Sequence, residues 1–256
     1  MTGLRLVLFV LISLLALGCL EQRVSASVPE VIDRFDHDPS AFTQGLLYYD
    51  GRLFESTGIR GRSSLREVAL ETGEVVRRLE LDERYFGEGL ARVGERLIQL
   101  TWREGLAFVY DLETFNQVGR FRYEGEGWGL CYDGEALWMS DGSATLYRRD
   151  AATFEVTGRL EVTLRGSPLE RLNELACVGD YVYANVWQAD TIVQIDQRSG
   201  KVVSEIDASG LLTAEERAAL GPDAVLNGIA YNPSTETFYL TGKLWPALFE
   251  VRFVER

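Results

Sequence analysis

The sequence predicts an all-β chain folded as a five-bladed β-propeller. Three observations predict it. One phrase recurs five times at spacings of 40 to 54 residues, the length of a four-stranded blade. Further strand-like runs follow each copy, so four repeats offer four strands each and the fifth offers three. A run near the N-terminus supplies the strand that the fifth repeat lacks.

The phrase begins Gln44-Gly45-Leu46, Glu88-Gly89-Leu90, Trp128-Gly129-Leu130, Asn173-Glu174-Leu175 and Asn227-Gly228-Ile229. Each copy is an apolar strand, a turn of Gly, Asp or Asn, and a second alternating strand. Third strands are expected over 65–70, 107–112, 145–149, 191–196 and 248–253. Fourth strands are expected over 75–81, 117–123, 156–162 and 202–206. Residues 31–35 match these fourth-strand runs in pattern, so they are expected to complete the last blade and latch the ring. Closure would pair edges that an open array leaves exposed. One stretch departs from the pattern. Residues 211–220 are rich in Ala, Glu and Leu behind Thr213, a good N-cap, and predict a short helix inserted between blades four and five.

Composition limits the function classes. The 256 residues are 46% hydrophobic and 25% charged, enough for a packed core. The formal net charge of -13 argues against nucleic acid as a partner, because such binding needs Lys and Arg on phosphates. The single histidine, His37, excludes a His-rich metal site. It is expected to be a loop or rim residue. Of 26 basic residues only Lys201 and Lys243 are lysines. Lys201 follows a Ser-Gly turn and is expected at the surface. Lys243 lies in a Gly-flanked loop.

Residues 4–17 are almost unbroken apolar sequence with Arg5 near the start, and read as the core of an export signal. The segment ends Leu15-Ala16-Leu17-Gly18-Cys19, which resembles a bacterial lipoprotein signal with Cys19 as the lipidated first residue. Ordinary export and an uncleaved anchor are the alternatives. The organisation expected is a leader over 1–18, a polar tether over 19–29 and the propeller over 30–256. Of the remaining cysteines, Cys131 and Cys177 differ by one residue in repeat position. That offset points them to opposite faces of a strand, so two separately buried thiols are expected, although an exported protein permits a disulfide.

In a propeller the innermost strands converge on the central channel. The phrase therefore delivers Gln44, Glu88, Trp128, Asn173 and Asn227 to one rim. A purely structural repeat would carry similar residues there; this one carries an amide, a carboxylate, an indole and two more amides. The ends of the second strands add Trp102, Asp141, Trp187 and Lys243. Several indoles at one end of a channel read as a binding pocket; ordinary inter-blade core is the alternative for each. Glu88, flanked by glycines and preceded by aromatics, is the best candidate for proton transfer, since burial raises a carboxylate pKa toward neutrality. A salt-bridged or capping glutamate is the alternative. Asp141 could as easily hold its own turn.

These motifs together resemble the glutamine cyclotransferases of plants and bacteria. The residues that carry the resemblance are Phe42-Thr43-Gln44-Gly45-Leu46, Tyr85-Phe86-Gly87-Glu88-Gly89, Gly127-Trp128-Gly129-Leu130 and Ser140-Asp141-Gly142. They continue through Arg171-Leu172-Asn173-Glu174-Leu175, Ala184-Asn185-Val186-Trp187-Gln188, Leu226-Asn227-Gly228-Ile229-Ala230 and Thr241-Gly242-Lys243-Leu244-Trp245-Pro246. The resemblance implies a five-bladed propeller that converts N-terminal glutamine of peptides or proteins to pyroglutamate and releases ammonia. It implies Glu88 as proton shuttle, Lys243 as a second catalytic group, and Phe42, Gln44, Trp102, Trp128, Asn173 and Trp187 as substrate-binding residues. No cofactor is expected for catalysis. A structural calcium ion (Ca2+) is the cation expected if the channel holds one. A monomer is expected. The rival readings are a non-catalytic peptide-binding propeller and a metal-dependent lactonase-like propeller that would use Glu88, Asn173 and Asn227 around a divalent ion.

Overall fold

The computed structural model describes residues 24–256. The leader and Cys19 lie outside the described residues. Five four-stranded antiparallel blades are present, as the repeat predicts. Blade one runs Thr43–Tyr49, Arg52–Thr57, Ser64–Val68 and Val75–Glu80 from the axis outward. Blade two is Gly87–Val93, Arg96–Thr101, Leu106–Asp111 and Gln117–Arg122. Blade three is Leu130–Tyr132, Ala136–Met139, Thr145–Asp150 and Val156–Glu161; blade four is Leu172–Val178, Tyr181–Val186, Thr191–Asp196 and Val202–Asp207. Blade five is Leu226–Asn232, Thr237–Gly242 and Ala247–Glu255, completed by the N-terminal strand Ser25–Asp36.

The N-terminal latch forms, with an addition. Ser25–Asp36 pairs antiparallel with Ala247–Glu255 from Ser27 opposite Glu255 to Asp36 opposite Ala247. Its first residues also pair parallel with blade four, Ser25 opposite Ser204 and Ser27 opposite Ile206. Ordered structure therefore reaches into the segment expected to be a tether, and Ser25–Val28 are strand. The physical reason is that the outer strand of blade four offers free backbone groups that a short polar segment can satisfy.

Burial follows the blade stack. Five apolar clusters each lie between neighbouring blades. Outer strands such as Val75–Glu80 and Gln117–Arg122 alternate exposed and half-buried residues and carry Arg and Glu, which discourages edge-to-edge association. In blades two to four the turns from third to fourth strand share one device. Asp111, Asp150 and Asp196 each accept a backbone N–H three residues on, from Thr114, Thr153 and Ser199 at 2.9, 2.8 and 2.8 Å. The inserted helix is Ala214–Ala219. Thr213 and Glu216 form a reciprocal capping box at its start.

Cys131 and Cys177 are joined in a disulfide, with Cα atoms 5.5 Å apart. This corrects the expectation of two separate thiols. Their opposite facing was the right reading, but its consequence was reversed. Neighbouring blades stack face to face, so a side chain on one face of blade three meets a side chain on the other face of blade four. The bond sits in the cluster that Trp138 and Leu146 share with Leu175 and Val182. It closes a sequence separation of 46 residues. Loop-closure entropy for that length is worth about 4 kcal/mol. Reduction is therefore expected to lower the unfolding midpoint by roughly 10 °C, read by thermal denaturation with and without reductant. A midpoint unmoved by complete reduction would overturn this.

Candidate active site

The inner strands press together at the glycine step of the phrase. A Cβ on Gly45 would lie 2.6 Å from the backbone N of Leu90, one on Gly89 2.5 Å from that of Leu130, and one on Gly129 2.0 Å from the carbonyl O of Asn173. Blades one to four thus meet backbone to backbone around the axis. Blade four breaks the series by placing Glu174 where the others have glycine. Its fully buried carboxylate reaches the two neighbours still needed, accepting from Ile229 N–H at 2.8 Å and Leu46 N–H at 3.1 Å. Burial pushes its pKa well above the ordinary range, and those two N–H bonds pull the other way. Above this closure lies one cup; below it the inner strands of all five blades line a second cavity of about 320 Å3, with Leu46, Leu90, Leu130, Leu175 and Ile229 in its wall.

The cup has a volume of about 260 Å3. All eight predicted site residues line it: Phe42, Gln44, Glu88, Trp102, Trp128, Asn173, Trp187 and Lys243. The blade geometry explains the convergence. The backbone N–H groups of Gly58, Trp102, Trp187 and Lys243 donate to the carbonyls of Phe42, Phe86, Arg171 and Val225 at 2.8, 3.0, 2.8 and 2.9 Å. Those four residues therefore occupy equivalent points at the ends of second strands. Two are indoles, one is an ammonium and one is glycine. The glycine is required: a Cβ at Gly58 would come within 2.3 Å of the Phe86 ring.

An aromatic collar results. Lys243 Nζ lies 4.8 Å from the centre of the Phe42 ring. Phe42 meets Phe86 edge-on at 6.1 Å, and Phe86 meets Trp102 at 5.6 Å. Trp128 and Trp187 meet edge-on at 5.5 Å. The gap between Trp102 and Trp128 is bridged by Glu126, which accepts both indole N–H groups, at 2.7 and 3.0 Å.

Polar groups occupy the floor. Glu88 is buried and accepts from Gln44 Nε2 at 3.1 Å. Gln44 in turn accepts from Asn227 Nδ2 at 3.3 Å, which turns its amide nitrogen toward Glu88. Burial drives the Glu88 pKa well above the carboxylate range; the Lys243 charge opposes this, and Glu126 and Glu104 add to it. Lys243 is also buried, which lowers its pKa to about 8 against the attraction of Glu88 and Asp223. Asn173 Oδ1 is buried without a hydrogen-bond partner, leaving an acceptor free for a donor brought by a ligand.

Other predicted residues do not join the cup. Asn227 is fully buried beneath it and gives its amide to Thr43 O at 2.9 Å. Asp141 holds its own turn, accepting from Ser143 N–H and Tyr147 O–H at 3.0 Å each. His37 lies in the loop that follows the N-terminal strand, as expected, but its side chain is buried and not at the rim. It sits between Trp245 O, 2.7 Å from Nδ1, and Glu55 Oε1, 3.1 Å from Nε2. Lys201 is exposed, as expected.

Sequence reasoning missed Phe86, Gln188, Pro222, Asp223 and Val225, which also line the cup. Phe86 had a signal: it stands two residues before Glu88, as Phe42 stands before Gln44, and alternate strand residues share a face. Val225 had the same signal, two residues before Asn227; Pro222 and Asp223 come from the segment after the inserted helix, which has no counterpart in the repeat. Among the described residues no group of three or more His, Cys, Asp or Glu is placed to hold a metal. The axial Glu174 gives one oxygen to each of two N–H donors. No helix among the described residues is long and apolar enough to cross a membrane.

Comparison with known proteins agrees with this geometry. A family model described as glutamine cyclotransferase matches residues 5–253. A glutaminyl-peptide cyclotransferase of Arabidopsis thaliana is 45% identical over 229 residues, 87% of this chain and 70% of that protein. The crystal structure of Myxococcus xanthus glutaminyl cyclase superposes with a TM-score of 0.86 at 42% identity, covering 91% of this chain and 100% of that one. The β-propeller domain of Cps50 (Swd1) from Myceliophteria thermophila, with a TM-score of 0.52 at 11% identity, shares the fold alone. With the repeat, the ring closure and the family motifs all matched across nearly its whole length, this chain belongs to the glutamine cyclotransferase family.

Proposed function

We propose that this protein is a glutaminyl-peptide cyclotransferase that closes the N-terminal glutamine of peptides or proteins into pyroglutamate in the aromatic cup, with Glu88 moving the protons. The observation that carries the reading is the Glu88 carboxyl on the floor of the cup, held by Gln44 and with its pKa raised by burial. A carboxyl of that kind can take a proton and return it near neutral pH.

The reaction makes three demands. The α-ammonium must lose a proton before its nitrogen can attack the side-chain carboxamide carbon; ionised Glu88 accepts it. The new N–C bond gives a tetrahedral centre whose oxygen carries negative charge; the Lys243 ammonium opposes that charge inside a dry cup. The carboxamide nitrogen must gain a proton as its C–N bond breaks; Glu88 returns the one it took, and ammonia leaves. The ring nitrogen gives up its second proton through the freed Glu88 carboxylate to the departing ammonia or solvent, so the lactam keeps one N–H and Glu88 ends ionised. Asn173 Oδ1 is suited to accept from the substrate amine and orient it. The indoles enclose the folded glutamine side chain and exclude water, which favours the cyclic approach over an extended one.

Each group fixes one limb of the pH profile. Glu88 must be ionised, so kcat/KM is expected to rise with pH through a value well above 4.5. Lys243 must be protonated, so activity is expected to fall as pH passes about 8. A profile flat from pH 5 to pH 9 would overturn both roles.

The function itself is tested by ammonia release from a Gln-Phe peptide in the presence of EDTA, with Asn-Phe as control. Release from the glutamine peptide alone supports the reading. A requirement for a divalent ion would favour the lactonase-like rival, although Asn227, which that rival would use as a ligand, lies beneath the cup with its Nδ2 held by Thr43 O and Gln44 Oε1. Export and lipid attachment at Cys19 are likewise proposed; the disulfide between Cys131 and Cys177 supports an oxidising compartment. The mass of the mature N-terminus tests this, and an intact Met1 would refute it.

A further inference from the structure

Glu126 stands two residues before Trp128, the repeat position that Phe42 and Phe86 occupy before Gln44 and Glu88. Two blades thus put an apolar ring there, and blade three puts a carboxylate. Its single oxygen Oε2 accepts from Trp102 Nε1 at 2.7 Å and Trp128 Nε1 at 3.0 Å, joining indoles that two different blades supply. Its other oxygen accepts from Arg103 Nε at 2.8 Å, and the Arg103 guanidinium lies 3.8 Å from the centre of the Trp102 ring. The Glu126 side chain is one-third exposed (33%). Part burial opposes its charge, but bonds from Trp128, Arg103 and Trp102 outweigh that and hold its pKa below the ordinary range.

An indole on its own can turn about its ring bond. An N–H bonded to a fixed acceptor selects one orientation. One oxygen shared by two indoles sets both planes together, so the wall of the cup between blades two and three behaves as a unit.

We propose that Glu126 is a positioning residue for the cyclisation reaction, aligning Trp102 and Trp128 through their ring N–H groups and thereby setting affinity for the glutaminyl end of the substrate. The proposal rests on the function proposed above. The indole wall contacts the ground state and the transition state alike, so loosening it costs binding rather than turnover.

The test compares wild type, Glu126→Ala and Glu126→Gln on a Gln-Phe peptide, with tryptophan emission and acrylamide quenching of each free protein. Glu126→Ala is expected to raise KM about tenfold and leave kcat within about twofold. Its emission is expected to shift to the red and quench more readily. Glu126→Gln keeps an acceptor oxygen for the indoles and is expected to recover most of the KM and the emission. In a Trp102→Phe background the KM penalty of Glu126→Ala is expected to shrink, because one of its two indole partners is already gone. A merely structural glutamate would not give rescue by the amide or that non-additivity. Unchanged KM and emission in Glu126→Ala would overturn the proposal, as would a Gln variant as impaired as the Ala variant. If even wild type releases no ammonia, the function reading fails; the emission and quenching comparison then still decides whether Glu126 holds the indoles.

Discussion

Glu88→Gln is expected to lose about a thousandfold in kcat on an N-terminal glutamine peptide, with an unfolding midpoint close to that of wild type. The size follows from the usual worth of a positioned acid–base group. The asymmetry between activity and stability follows from the site. Burial already favours the uncharged form of Glu88. A neutral amide of the same shape therefore suits the buried position, with Asp223 left as the counter-charge to Lys243, and it can still face Gln44 across the 3.1 Å contact. What the amide cannot do is take a proton from the α-ammonium. Ammonia release under saturating peptide, beside a thermal melt, gives the answer. A variant retaining kcat within about threefold of wild type would remove Glu88 from the chemistry.

The second large effect is on stability, away from the cup. Glu55 is fully buried at the junction of blade one and the N-terminal strand. It accepts from Thr43 Oγ1 at 2.6 Å and from His37 Nε2 at 3.1 Å, and lies 3.7 Å from Arg66 Nη1. Burial works against its charge, but His37, Arg66 and Thr43 outweigh that and hold its pKa low. Glu55→Ala would leave His37 without its buried counter-charge and Arg66 with Asp38 alone. The expected cost is about 3–5 kcal/mol, a fall of roughly 10 °C in unfolding midpoint for a chain of this size. Burial also opposes charge on His37, yet Glu55, the bond to Trp245 O and Asp38 raise its pKa above 6.5. The stability this contributes is complete below 6.5 and is lost as pH rises through the raised value in the folded protein. Melts across that range should show the loss in wild type and not in Glu55→Ala. A variant as stable as wild type at pH 6 would overturn the argument.

The same network explains why the burial of His37 could not be read from the chain. The residue follows the N-terminal strand, in a stretch with Asp and Pro that looks like an exposed turn. Only ring closure brings it against Trp245 O and Glu55. His37 N–H also donates to Pro246 O at 3.0 Å, so the latch strand is tied directly to the loop that carries Lys243. Glu126 escaped notice for a related reason. Its partners Trp102 and Trp128 sit on two blades, and a carboxylate two residues before an indole says nothing about a second indole from elsewhere.

The sequence by itself determined the number of blades, the strand order within each, the N-terminal latch and the capped helix. It also picked out eight of the thirteen residues that line the cup. Those features are local or periodic: alternation fixes which face a strand residue takes, and a repeat places equivalent residues at equivalent points. The tertiary structure alone decided what lies between the blades. It joined Cys131 to Cys177 because stacked blades present opposite faces to one another. It sent Glu174 across the axis to Leu46 and Ile229, buried His37 against Glu55, and placed Asn227 beneath the cup rather than on its wall. Contacts of that kind depend on how far apart residues lie once the ring has closed, and no spacing along the chain carries that distance.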